Sequence, residues 1–275
     1  ADMVDRVEFA TGCFDAKYGD KMSSALDITY KKPKKFEAKI DASLLGGGVY
    51  IGFATKTFAW QNGFRYKTNR MLLSGGDQKA EYDPRFLDYQ TYLTFEPNKR
   101  WKIELLGDIA DNRYNFTPQS RETTFGGTEN SKSFKVYFDG WEKDIFRTYF
   151  GSAAVTHSFT ENTKLQLQGS IFFTNEQETY DIQGQYWLQE TGSETGMEDD
   201  LAVGTYSEHA RNYLKANVKS VKLTFQHKTK KHNWLAAFTY KNENISENSK
   251  EYEMRDSAGY VVPHTGDRLD MIYSL

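Results

Sequence analysis

Three short polar turns, Glu96–Lys99, Thr160–Thr163 and Lys228–Asn233, alternate along this chain with three far longer polar segments, Lys67–Leu87, Ala110–Ile145 and Asn175–Ala210. The runs joining them show apolar residues with period two, the mark of strands with one apolar face. Trp101, Ile103, Leu105, Gly107 and Ile109 oppose Lys102, Glu104, Leu106 and Asp108. Leu165, Leu167, Gly169, Ile171 and Phe173 oppose Lys164, Gln166, Gln168 and Ser170, and Trp234, Ala236, Phe238 and Tyr240 share a third such face. Compact domains rarely hold even one structureless loop beyond ~12–15 residues, so three in alternation require a cause. Outer-membrane β-barrels supply it: short turns at one end, long loops at the other, and strands of ~10 residues between. Such a sheet closes because lipid cannot satisfy the hydrogen bonds of a free edge.

The pattern predicts nine strands, over 36–45, 48–54, 58–66, 88–95, 100–109, 146–157, 163–173, 212–226 and 233–244, with a short extension at Phe134–Phe138. Pro33, Pro84, Pro97, Pro118 and Pro263 all fall in turns, loops or strand ends, as proline's missing ladder donor requires. In the eighth strand Leu214, Ala216 and Val218 give way to Val221, Leu223 and Phe225, a change of parity that predicts a bulge near Lys219–Ser220 or two strands run together. Nine is an odd count where single-chain bacterial barrels are even. No closing strand follows Met271–Leu275, and the chain reads as a fragment of a longer barrel protein. A soluble β-sandwich with decorated loops is the alternative.

Composition narrows the classes. The chain has 275 residues, 35 Lys and Arg against 38 Asp and Glu, and a net charge of −3; a nucleic-acid binder would carry a basic excess. Nineteen Phe, 18 Tyr and 5 Trp exclude a disordered chain. One cysteine, Cys13, precludes an intrachain disulfide or a multi-cysteine zinc site. No apolar run is long enough for a transmembrane helix, and Asp2, Asp5, Arg6 and Glu8 read against a signal peptide.

Residues 1–32 break the rhythm. Val4, Val7 and Phe9 read as one short strand and Ala25–Tyr30 as another, around a stretch with Gly12 and Gly19. The run from Val7-Glu8 through Gly12 and Tyr18-Gly19 to Leu26-Asp27-Ile28 resembles the end of the plug domain of TonB-dependent outer-membrane receptors, in which a V-E-x-x-x-G…Y-G segment precedes the first barrel strand. Phe36 onward fits that strand in order and spacing. The segments Gly63–Arg70 and Glu208–Lys215 resemble the barrel of a branch with large extracellular loops. Cys13 departs from the pattern, standing where a small residue such as Gly or Pro is usual. The resemblance implies an all-β fold: a transmembrane antiparallel β-barrel of 22 strands, about nine of them here, preceded by the C-terminal end of a plug. Residues 1–32 would be plug and residues 33–275 the first part of the barrel. It implies TonB-energised uptake of a nutrient, localisation in the outer membrane, contact with its lipid, coupling to the TonB complex through a preceding segment, and no cofactor. The other reading is a barrel that serves as a docking platform for a surface lipoprotein or secretion partner.

Among candidate residues, Tyr114, Phe116, Trp141, Tyr186 and Trp187 lie in the long segments. Aromatic faces stack on sugar or heterocycle rings; the plain reading is that they pack the loops together. Tyr89, Phe95, Trp101, Tyr149, Phe159, Trp234 and Phe238, near strand ends, read as interfacial girdles. Lys102, Glu104, Asp108, Lys164, Gln166, Gln168, Lys215 and Asn217 read as a lumen wall, in contact with plug or solute or simply hydrated. His157, His209, His227, His232 and His264 show no metal spacing, although His227 and His232 flank a turn. Glu194 and Glu198-Asp199-Asp200 read as a calcium site or as a solvated tip. Lys31, Lys32, Lys34 and Lys35 read as a hydrated periplasmic rim. Glu176 and Glu178 share a face, but nothing completes a hydrolase, and no nucleophile elbow or phosphate loop is present. No enzyme is expected.

Overall fold

The computed structural model describes residues 2–12, 18–19, 23–69, 80–127, 130–191, 200–257 and 260–261. Its described elements are all strands. β1 (Val4–Ala10) and β2 (Ala25–Tyr30) pair with each other as a small antiparallel hairpin. Thirteen further strands form one antiparallel sheet: β3 (Glu37–Ser43), β4 (Gly46–Ala54), β5 (Phe58–Thr68), β6 (Ala80–Tyr82), β7 (Arg85–Asn98), β8 (Trp101–Pro118), β9 (Arg121–Gly127), β10 (Asn130–Thr160), β11 (Thr163–Thr191), β12 (Asp200–Lys228), β13 (Asn233–Asn248), β14 (Glu251–Ser257) and β15 (Tyr260–Val261). The main path is a meander, β3-β4-β5-β7-β8-β10-β11-β12, with β13 and β14 both paired to β12 and the short β6 and β9 paired to β8 and β10.

The nine expected strands are present as β3, β4, β5, β7, β8, β10, β11, β12 and β13. The expectation that Ala110–Ile145 and Asn175–Ala210 are loops is overturned. β8 continues to Pro118, β10 begins at Asn130, and β10, β11 and β12 span 31, 29 and 29 residues. The β10–β11 ladder runs without a register shift from Ser131↔Thr191 to Ser158↔Lys164. These segments mix charged, polar and aromatic residues on both faces, so the apolar face of the belt does not continue into them, while pairing on both sides satisfies their backbone groups. Even Gly140, with φ of +125° and no room for a side chain beside the Asp181 carbonyl, stays in register opposite Ile182.

The bulge expected at Lys219–Ser220 is also absent: β12 stays in step with both β11 and β13 there. What changes is the chemistry of each face. The face bearing Val221, Leu223 and Phe225 continues as Lys219, Asn217 and Lys215, and the opposite face passes from Thr224, Lys222 and Ser220 to Val218, Ala216 and Leu214.

One face of the sheet is an apolar belt of exposed side chains, among them Val49, Ile51 and Phe53, Trp60 and Phe64, Leu105 and Ile109, Leu167 and Ile171, and Val221, Leu223 and Phe225. The belt ends obliquely. Its last member is Tyr66 on β5, Leu87 on β7, Ile109 on β8, Tyr149 on β10, Phe173 on β11, Val221 on β12 and Tyr240 on β13. Tyr66 lies on the pairing line that reaches Ser246 of β13, six residues beyond Tyr240. Six residues at ~3.3 Å across six strand spacings of ~4.8 Å give a slope of about 35° between belt and hydrogen-bonding direction. That is the range of strand tilt in membrane barrels, ~35–45°.

Candidate functional site

The face opposite the belt is polar near the short turns and mixes polar with apolar and aromatic residues further up. Near the short turns it carries side-chain bonds between strands: Gln166 donates to Thr156 at 3.1 Å, Gln168 to Ser152 at 3.1 Å and Gln90 to Asp108 at 3.1 Å. The open end of the β1–β2 hairpin is tied to this face. Met3 lies against Gly63, where a Cβ would stand 3.0 Å from its sulfur. Gln61, 1% exposed, donates to the Lys31 carbonyl at 2.8 Å and accepts from the Tyr50 hydroxyl at 3.3 Å. Lys32 pairs with Glu96 and Lys39 with Asp2. Of the plug-like signature, Gly12, Tyr18 and Gly19 are described, and the Tyr18 hydroxyl donates to Asp27 of β2. Cys13 lies outside the described residues, as do Glu194, Glu198, Asp199, His264 and Pro263.

The five aromatic candidates sit on strands rather than loops, and they do not converge. Tyr114 and Phe116 of β8 are on the polar face, joined by Tyr82 of β6. Tyr82 lies 5.0 Å from Phe116 and 6.3 Å from Tyr114, and Tyr114 and Phe116 are 6.5 Å apart and nearly parallel. Tyr186 is also on that face, where it packs between Phe134 at 6.1 Å and Phe138 at 6.4 Å. Trp141 is on the other face, under the Arg211 guanidinium at 5.2 Å. Trp187 is one residue from Tyr186 and so on the opposite face, at the register shift facing Gly204 and Ala202.

Of the carboxylates beside the β8 aromatics, the sequence drew attention to Glu178 with Glu176, while Glu142 and Asp144 went unnoticed. Glu142 is paired with Phe116, Asp144 with Tyr114, and Glu178 of β11 with Asp144. Like charges on directly paired residues oppose one another, which disfavours the charged form of each carboxyl. Burial, then Asp144 and Glu178, hold the Glu142 carboxyl above its ordinary value; burial, then Glu178, does the same to Asp144. Burial, with Glu142 nearby, pushes the Tyr114 phenol up to about 12. Asp144 is 9% exposed, and its Oδ1 has no hydrogen-bond partner. The signal available in sequence was the spacing Glu142-x-Asp144 and Glu176-x-Glu178, which puts each pair on one face of a strand.

The opposite face at this height has the reverse character. Asp111 accepts from Arg113 at 2.7 Å and Arg147 at 3.0 Å, and the Arg113 bond leads in holding the Asp111 carboxyl below the usual range. Asp181 accepts from both His209 and Arg211. Among the described residues no three His, Cys, Asp or Glu come together in a group that would hold a metal ion. On the apolar belt, Thr91, Gly107, Gly151 and Gly169 floor an open furrow of 620 Å³; it presents no polar chemistry.

The chain is thus an all-β protein whose single large antiparallel sheet is of the kind from which β-barrels are made. No protein-family model, curated protein or solved structure matches it.

Proposed function

We propose that this chain is part of a TonB-dependent outer-membrane receptor, with β3–β13 belonging to a plugged transmembrane β-barrel and residues 1–32 to the end of its plug. The observation that carries the reading is the oblique apolar belt on one face of a sheet whose other face is polar near the short turns and is tied there to the open end of the N-terminal hairpin. A soluble β-sandwich buries its apolar face against a second sheet; here the belt is exposed and slopes at about 35°, as tilted lipid-crossing strands require. Above the belt the paired strands continue as a tall wall with charged, polar and aromatic residues on both faces, which suits an extracellular surface. In this reading the solute meets the polar face, the TonB complex acts through a segment preceding the plug end, and the chain performs no covalent chemistry.

That same wall favours one other reading, a docking platform for a surface lipoprotein. Cell fractionation of the native protein with a heat-modifiability gel tests what both share. An outer-membrane protein with a fast-migrating unheated band is expected; a soluble, heat-insensitive protein would refute the barrel. Energy-dependent uptake lost on deletion of TonB then separates receptor from platform.

A further inference from the structure

We infer that the patch formed by Tyr82, Tyr114, Phe116, Glu142, Asp144 and Glu178 binds a cationic organic group, an ammonium or guanidinium carried by the solute. This deepens the uptake reading and rests on the polar face being the solute side.

Three observations converge. The first is an acid cluster: Asp144 faces Glu178 directly, Glu142 and Asp144 share a hydrogen bond, and the charges that act most strongly on both are other carboxylates. The second is independent of the clustering. Asp144 is more than nine-tenths buried, and although its carboxylate draws on the Thr179 N–H and on Glu142, its Oδ1 meets no donor. A buried acceptor without a partner costs stability, and an incoming N–H donor would remove that cost. The third is the aromatic wall. Tyr82, Tyr114 and Phe116 lie within 6.5 Å of one another, with Phe116 paired to Glu142 and Tyr114 to Asp144. Aromatic faces attract cations through their quadrupole, most strongly where water is partly excluded. Carboxylates beside aromatic faces match an organic cation, which presents donors and an apolar body together.

A bare metal ion fits less well. Hard divalent cations need several oxygen ligands converging at ~2.0–2.6 Å, and no described group of three or more carboxylates or histidines offers that convergence. On the opposite face at this height Arg113, Arg147 and Arg211 already neutralise Asp111 and Asp181, so the acidic side chains that repel one another are those of the polar face.

The test uses the full native protein in detergent and agmatine, which carries a guanidinium and an ammonium, as the probe in titration calorimetry. n-Butylurea is the neutral control and calcium chloride the metal control. Agmatine is expected to bind and n-butylurea not. Glu142→Gln with Asp144→Asn should weaken agmatine by about tenfold or more, the scale of one lost charged hydrogen bond. Tyr82→Leu, at a half-exposed ring, should weaken it several-fold without touching a charge, and Asp111→Asn on the other face should leave it unchanged. Each variant is checked for the fast-migrating unheated band, so a misfolded barrel is recognised; if the double variant misfolds, Tyr82→Leu decides. Absence of agmatine binding to a protein that shows the barrel band, equal binding by the patch variants, or tighter binding of calcium than agmatine would each overturn the inference while leaving the barrel reading intact. Failure of the barrel band in the native protein would instead overturn the reading beneath it.

Discussion

Tyr30 lies against Tyr92, their ring centroids 4.8 Å apart and their planes 27° from parallel. The first belongs to the N-terminal hairpin and the second to the polar face of β7. With the Gln61 bond to Lys31 and the Lys32–Glu96 ion pair, the stack fixes the end of β2 where the chain enters the large sheet. The Tyr92 hydroxyl is itself held, donating to Glu104 on β8. The end of the hairpin therefore meets a side chain that the sheet itself already holds in place.

Tyr30→Ala should loosen this attachment by roughly 1 kcal/mol, the stacking of one aromatic pair. Amide exchange in Val4–Tyr30 should accelerate while the β10–β11 ladder keeps its protection. Equal acceleration in both would show that the hairpin and the sheet open as one unit.

The two faces differ in what a charge costs. Leu167 is 53% exposed on the belt, and Gln166 beside it bonds Thr156 on the polar face. Leu167→Arg should destabilise the protein folded in lipid by ~2–4 kcal/mol near the bilayer midplane, and Gln166→Arg by much less. Equal losses in urea unfolding from lipid vesicles would refute the assignment of faces.

Two carboxylates above the belt should show opposite pH dependence. Asp111 is held below its ordinary 3.8, chiefly by its hydrogen bond with Arg113. Its stabilisation is complete above that value and lost as pH falls through the lowered one. Asp111→Asn should therefore cost a fraction of a kcal/mol, about 0.5, at pH 7, and nothing in strong acid. Glu142 is held above its ordinary 4.5 by burial, then Asp144 and Glu178. Its charge burdens the fold above that ordinary value, and the burden disappears at lower pH. Glu142→Gln should raise stability at neutral pH and not in acid. Unfolding of the two variants at both pH values checks the signs.

The sequence made the belt region legible because alternation survives there: Trp101 to Ile109 and Leu165 to Phe173 read directly as strands. It concealed the distal wall because charged, polar and aromatic residues share each face there: Asp181, Gln183 and Gln185 of β11 are paired with Trp141, Asp139 and Tyr137 of β10, so neither face reads as a continuous apolar one. The parity change at Lys219 was readable as a signal but not as its cause. A bulge and a change of solvent alter face chemistry alike in sequence, and only the unbroken pairing of Ser220 with Ser170 and Lys241 separates them. In the candidate site, Tyr114 and Phe116 stood out as aromatic residues. Glu142 and Asp144 did not, because an acidic pair in a polar segment looks solvated until its neighbours across the sheet are known.

A tag inserted at Gln119–Ser120, between β8 and β9, should be stained by antibody on intact cells, and one at Lys230–Lys231, between β12 and β13, only after the outer membrane is permeabilised. The reverse pattern would invert the orientation.

The belt itself is tested most directly by tryptophan fluorescence in vesicles of brominated lipid, with single-tryptophan variants. Trp60, Trp101 and Trp234 are exposed on the belt face, while Trp141 and Trp187 lie beyond the belt on strands that continue past it. The first three should be quenched strongly and the last two hardly at all. Equal quenching of all five, or none of Trp60, would contradict the claim that this face meets lipid.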